Sequence, residues 1–442
     1  MNPTRFSMIL VMVFSTTTGA ACAQEAAPEA PTPPPFTDQV WGGNYPKHPH
    51  MQFHDGKTYV ALSATDQDEP YIWAYDHETK AWQGPVQVGQ NQLPPSDQHG
   101  NPSLIIDDDG YIHVWYGGHG HRTSEHVYAR SANPGDISEW IHPKFDTKLT
   151  YPMPCVLSDG TVAVMYRRGN HSMPGSDAWL YRFSSDNGQT WSQPRVIVQR
   201  MTRATDADVY CVPAKFGGRD RIAVGVSDEY LQGVQTSRHS TEDLFYFEYD
   251  VTEDKIYNVE GEPIDAPNGL SHAQMVEHCR LADYKALGNK SYRISARPVV
   301  AEDGTIYVLA PNGDPAGFDR KPGQSYGGLP RIWRWSAEQK AWTHADPDRP
   351  FNYWLAAEDG RLVTYAGGDK PTRIVSADHG KTWTTQATIP ASKPDRGWVS
   401  VLHNAARGQD HPDARAIVIE RPERRGQLGR AWLWGDSGLI GR

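Results

Sequence analysis

Apolar and polar positions alternate along most of the chain in short runs broken by turns rich in Asp and Gly. The clearest case is residues 97–122, DQHGNPSLIIDDDGYIHVWYGGHGHR. An apolar run at 102–106 enters an Asp-Asp-Asp-Gly turn and a second, at 111–116, leaves it, which is the pattern of a β-hairpin. The pattern recurs. HMQFHDGKTYVALSA turns at Gly56, PMPCVLSDGTVAVMYRRG at Gly160 and YCVPAKFGGRDRIAVGVSD near Gly218, followed by RPVVAEDGTIYVLAP at Gly304 and NYWLAAEDGRLVTYAGG at Gly360. A weaker copy spans 398–420 and turns near Arg407-Gly408. A second element follows the hairpins: SSDNGQTW at 184–191 and SADHGKTW at 376–383, with degenerate versions at 76–82 and 336–342. In each, a polar turn precedes a Trp that can pack beneath it.

Two hairpins per unit of about 50 residues make a four-stranded sheet, and repeated units of that size make a β-propeller. No such sheet can bury both faces alone; stacking around a ring does it. The expected fold is therefore all-β: a seven-bladed propeller of four-stranded antiparallel blades, occupying 37–442 as one domain. The 86-residue interval between Gly218 and Gly304 implies an insertion, near 255–292. The last strand, at 430–434, is expected to pair with an N-terminal strand near Val40, closing the ring and removing free edges.

Residues 1–23 read as a signal peptide, with Arg5, an apolar stretch too short to span a bilayer, and Ala21-Cys22-Ala23 as the cleavage site. A lipid anchor on Cys22 is disfavoured by Gly19, where such a signal prefers Leu. Residues 24–36, rich in Pro and Ala, form a linker. The expectation is a secreted or periplasmic protein. Net charge is −10 with no basic run, which argues against a nucleic-acid partner. Cys155, Cys211 and Cys279 remain after export, an odd number, so at least one is unpaired.

The topology turns spacing into location. The start of each first strand and the end of each second strand lie on one rim around the axis, so His99 and His119 should meet although twenty positions separate them. The same rim gathers Asn101, His121, Tyr166, Arg168, His171, Tyr230 and Arg297. An acidic protein that concentrates His, Arg and Tyr at one pocket suits an anionic ligand there. One His beside a Gly-Gly turn is ordinarily a surface residue; two on one rim with a third nearby favour function. The Asp-containing turns are structural. Tyr166 and Arg182 lie on successive strands of one blade, where a plain stacked pair is as good a reading as a functional one.

His-Gly-Asn-Pro-Ser at 99–103, Gly-Gly-His-Gly-His at 117–121 and the Tyr166/Arg182 spacing together resemble the secreted BNR-repeat, seven-bladed polysaccharide lyases of the ulvan lyase type, over essentially the whole mature chain. The resemblance implies β-elimination on a sulfated, uronic-acid-containing algal polysaccharide, with His99, His119, Tyr166 and Arg182 as the functional positions. It also implies a further substrate tyrosine, for which Tyr230 is the candidate and Tyr210 the alternative. That chemistry removes the proton on carbon 5 of a uronic acid and expels the oxygen on carbon 4. The adjacent carboxylate has to be neutralised, a role for Arg182. Tyr166 is the expected base, with neighbouring positive charge lowering its pKa, and His99 or His119 either donates to the leaving oxygen or acts as base on the opposite epimer. Catalysis on this reading needs no cofactor. SHAQMVEHCR offers His272, His278 and Cys279 for a structural zinc, with His239 or Cys211 as a fourth ligand. The competing readings are a sialidase-like hydrolase recruiting Arg167, Arg293 and Arg297, and a carbohydrate-binding propeller without turnover.

Overall fold

The computed structural model describes residues 32–40, 49–94, 97–119, 126–146, 149–169, 178–199, 205–216, 218–231, 239–283, 286, 296–311, 330–347, 354–366, 371–390, 397–402, 410–422 and 428–442. The chain divides into units 1–32 and 33–442, and the second is the subject below. The signal-peptide stretch, most of the linker, and His121, His171 and Arg293 lie outside the described residues.

Among the described residues the strands form antiparallel sheets, four of four strands, one of six and one of nine, the last joining strands from the two ends of the chain. The first strands Met51–His54, Ser103–Ile106, Leu149–Val156, Thr205–Phe216, Arg297–Val300 and Ala356–Glu358 lie against one another in that sequence. First strands gathered in order about an axis, with successive strands stepping outward, make a β-propeller with four-stranded blades.

The apolar runs are nearly continuous because each blade is covered on both faces. In Ser103–Ile106 every residue is buried. Leu104 and Ile106 pack with Tyr59, Ala61 and Ile72 of the preceding sheet, while Ile105 joins Trp115 in the core shared with the following one. Register follows the hairpin pattern, Ser103 opposite Trp115 and Ile106 opposite Ile112. The turn glycines Gly56, Gly110, Gly160, Gly218, Gly304 and Gly360 all adopt φ between +72° and +86°, a conformation that excludes most other residues. Gly188, in the second-element turn, adopts φ +76° as well and also serves packing: a Cβ there would lie 2.0 Å from the Tyr128 hydroxyl of the preceding blade.

The ring closes as the pattern predicts. Thr37–Val40 pairs with Gly429–Gly435, Thr37 opposite Ala431 and Val40 opposite Gly429. The insertion adds Lys255–Tyr257, Pro263–Ile264, a helix His272–His278 and Arg280–Asp283, the last pairing with His239–Asp250. Ser271 and Gln274 form a reciprocal capping box that starts the helix. Cys279 is a buried free thiol.

Trp115 is fully buried, with Tyr128 at 4.9 Å and Trp191 at 5.8 Å between ring centroids. Trp115→Ala should cost about 3–5 kcal/mol, read as a lower urea midpoint by circular dichroism; a loss below about 1 kcal/mol contradicts this packing.

Candidate active site

The hairpin around Gly110 brings its two ends together through the backbone. The Gly117 amide donates to the Gly100 carbonyl at 2.8 Å, fastening the turn Gln98–Gly100 to the loop that leaves Trp115. That loop presses on the next blade so closely that a Cβ on Gly118 would lie 2.2 Å from the Leu149 carbonyl oxygen. His99 and His119 consequently meet, their rings stacked at 3.8 Å between centroids and 19° between planes.

Between them lies Asp97. Its Oδ2 accepts from His119 Nδ1 at 2.6 Å, and its Oδ1 accepts from His99 Nδ1 and, at 3.2 Å, from the His99 amide. Burial alone would raise the pKa of Asp97, but the hydrogen bonds and charges of His119 and His99 outweigh it and hold the carboxyl well below its usual range. An ionised carboxylate only accepts, so both Nδ1 atoms carry protons toward it and both Nε2 atoms are turned away from it. Burial is the main influence on His99 and pushes its pKa down. The Asp97 hydrogen bond opposes this, while His119 and Arg167 reinforce it. Asp68, fully buried, is pushed up to about 7 by burial and by the charges of Asp97 and Glu69, against the Ser63 hydrogen bond that lowers it.

The third blade adds an aromatic wall. Tyr151 stands where the pairing of Leu149–Val156 with Val162–Arg168 slips, with φ +56°. Its ring lies 5.4 Å from His99 and stacks on Trp179 at 6.2 Å, and the Arg167 guanidinium lies 4.8 Å over its face. Asp97, His99 and His119 each offer a ligand atom, all within 4.8 Å of one another, but both Nδ1 atoms already face the Asp97 carboxylate.

Tyr166 and Arg182 belong to a different group. Tyr166 is fully buried and its hydroxyl donates to Asp146 Oδ2 at 2.8 Å. Burial first, then Asp146, push its pKa up, outweighing Arg182 and Arg168. The expectation of a phenol activated by positive charge is thus corrected. Arg168, exposed at the rim end of its strand, reaches the same Asp146 carboxylate at 3.1 Å. Arg182 is corrected too: Ala178–Ser184 runs away from the rim, Ala178 opposite Arg168 and Arg182 opposite Val164, roughly 13 Å lower at the rise of a strand. Its guanidinium donates to the Ser192 and Trp191 carbonyls at 2.7 and 3.3 Å and lies over Phe145.

Of the remaining rim residues, Asn101 is buried and donates to Ser63 Oγ at 2.8 Å, which ties the first blade to the second. Tyr230 pairs with Thr205 in the backbone register; its side chain lies outside the described residues. Arg297 donates to the Tyr210 hydroxyl at 2.9 Å and covers that ring at 4.4 Å.

The expected zinc set does not converge. His272 and His278 begin and end one helix, and six steps of about 100° leave them on different sides. His272 Nε2 faces Asp228 at 3.3 Å and His278 Nε2 faces Glu277 at 3.7 Å. Cys279 is buried, and burial pushes its thiol up to about 12. Cys211 Sγ lies 4.0 Å from Met153 Sδ. His239 has an undescribed side chain. His272 instead groups with Asp228 and Asp243.

The signature described as "BNR repeat-containing family member" matches residues 57–315. The ulvan lyase of Nonlabens ulvanivorans is 28% identical over 448 residues, covering 90% of this chain and 87% of that protein. Ulvan Lyase-PL25 of Pseudoalteromonas sp. (strain PLSV) is 33% identical over 250 residues, half of each chain. Among solved structures, the PL25 ulvan lyase bound to -[GlcA(1-4)Rha3S]- superimposes with a TM-score of 0.75 at 22% identity, covering 93% of this chain and 98% of that one. Polysaccharide lyase Uly1 gives 0.60 at 13% identity, with 88% and 91% covered. Both likenesses support the propeller fold.

His99 should titrate below the 6.5 of a free imidazole. Asp97→Asn removes the partner that raises its pKa, so His99 should titrate lower still, with less of it protonated at any given acidic pH. Nitrogen-15 NMR of labelled histidines reads this directly; an upward move contradicts the shared-carboxylate geometry.

Proposed function

The chain belongs to the BNR repeat-containing family, and from that membership, its ulvan lyase relatives and the Asp97-bridged histidine pair, we propose that it is a polysaccharide lyase that cleaves ulvan by β-elimination. The observation that carries this reading is two imidazoles stacked over one ionised carboxylate, each with its Nε2 turned away from it.

On this reading His99, kept neutral by burial, takes the carbon-5 proton of a uronic acid through Nε2. The electron pair left behind forms the carbon-4–carbon-5 double bond as the bond from carbon 4 to the glycosidic oxygen breaks. His119, entering the step as the imidazolium of the pair, hands its Nε2 proton to that oxygen and is left neutral with its Nδ1 proton toward Asp97. Asp97 makes this exchange cheap, because the imidazolium formed at His99 gains a charge-assisted bond. Arg168 is the exposed guanidinium at the rim suited to the uronate carboxylate, and Arg167, buried over Tyr151, adds positive field beside His99. Tyr166 acts through Asp146 as a positioning residue for Arg168. A pocket that binds -[GlcA(1-4)Rha3S]- in the PL25 neighbour supports a sulfated, uronate-bearing substrate here.

The same reading counts seven blades. The nine-stranded sheet holds two sets of strands joined through Thr37–Val40, which pairs with Gly429–Gly435 on one side and, at Val40 opposite Ala64, with Lys57–Ala64 on the other. It also includes export, carried by the charged-then-apolar leader of residues 1–23.

Incubation with ulvan should produce the ultraviolet band of the new conjugated double bond. His99→Ala and His119→Ala should each lower kcat/KM by roughly two orders of magnitude or more, while folded Arg182→Ala keeps most of it. Reducing ends without the band contradict elimination, and near-normal turnover in both histidine variants contradicts the assigned roles.

A further inference from the structure

At the turn-facing end of the propeller, opposite the rim that holds His99 and His119, the first blade meets the strands that close the ring. His77 follows the strand Glu69–Asp76 there, and His411 and Asp413 lie in the connection between Gly397–Leu402 and Ala416–Pro422. The two imidazoles stack at 3.8 Å between centroids with 32° between planes. Asp413 Oδ2 lies 3.9 Å from His411 Nδ1. Each of the three residues offers a ligand atom within 4.8 Å of the others.

We propose that His77, His411 and Asp413 bind a divalent ion of the zinc class and so clasp the first blade to the ring-closing strands. Two imidazole nitrogens and a carboxylate oxygen are a donor set suited to such an ion. The surroundings orient the donors as outer groups do at metal sites. His77 Nε2 is engaged by the Thr58 hydroxyl at 2.8 Å, fixing the ring, while Nδ1 on its other side is buried and has no hydrogen-bond partner. The Asp413 carboxylate is steadied through Oδ1 by the Ser437 hydroxyl. Phe53, 4.9 Å from His411 and 5.6 Å from His77, and Tyr75, 5.0 Å from His77, wall the group with rings. The competing bond is modest: His411 Nδ1 accepts the Asp413 amide at 3.1 Å.

Two other groupings among the described residues have the composition of a cation site, and each is already served. In Asp97, His99 and His119 both Nδ1 atoms are spent on the carboxylate. In Asp228, Asp243 and His272 the Arg280 guanidinium lies 3.1 Å from Asp243 and supplies the positive charge. The His77 group differs in holding a buried nitrogen without a partner. A burial cost of that kind is relieved when the lone pair meets a cation.

The test is isothermal titration of the chelator-treated full chain with zinc chloride, together with thermal unfolding with and without the ion. Saturable binding of a single equivalent is expected. It should be lost in His77→Ala and His411→Ala, weakened by roughly tenfold or more in Asp413→Asn, and kept in His99→Ala. Zinc should raise the unfolding midpoint of the wild type and leave that of His411→Ala unchanged. Circular dichroism checks that each variant is folded, and Asp413→Asn, the gentlest change, carries the test if an alanine variant is not. Absence of saturable binding overturns the proposal. So does binding that survives His77→Ala and disappears in His99→Ala, which would assign the ion to the rim cluster.

Discussion

A single carboxylate shared by two stacked imidazoles is the constraint on which the rest of the site depends. Two aromatic rings 3.8 Å apart repel one another strongly if both are charged, and neither is held in a fixed tautomer if both are free. Asp97 answers both problems: it accepts from both Nδ1 atoms, so it tolerates one positive charge between them and turns both Nε2 atoms away from itself. A proton taken up by either ring would sit beside a fixed negative charge, which stabilises an imidazolium at whichever ring holds it.

The propeller supplies the rigidity. His99 and His119 sit at opposite ends of one hairpin, and their meeting depends on the Gly100–Gly117 backbone bond and on the pressure of the His119 loop against Leu149. Those in turn depend on blades covered on both faces, with Trp115 and its aromatic neighbours joining the second blade to the third. Thr37–Val40 completes the ring with Gly429–Gly435, so movement of the first blade is resisted from both sides.

Much of this was legible in the sequence. Alternation around Asp-Gly turns located the hairpins, because each turn needs a left-handed residue, and the turn glycines from Gly56 to Gly360 all took that conformation. Hairpin topology brought His99 to His119, and the apolar strand at the C-terminus matched the one near Val40. What failed was direction along and across strands. Arg182 shares a blade with Tyr166, but its strand runs away from the rim, and spacing alone does not reveal that. Tyr166 is expected to be a base with its pKa lowered by neighbouring positive charge; burial and Asp146 outweigh Arg182 and Arg168, which do lower it. Asp97 was overlooked although it stands two residues before His99, a spacing that lets one side chain fold back on the other. Tyr151 reaches the site only through a register slip, for which the sequence carries no clear mark. His272 and His278 are close in sequence yet lie on different sides of their helix, whereas His77 and His411 are 334 positions apart and meet only when the ring closes.

The most direct test of the shared-carboxylate site is a crystal structure of the His119→Ala variant soaked with an ulvan oligosaccharide. The account predicts a uronic acid seated beside His99 with its carbon-5 face toward Nε2, its carboxylate toward Arg168, and Asp97 still bonded to His99. A uronate held elsewhere on the rim, for instance against Tyr210 and Arg297, with His99 in contact only with protein, would contradict it.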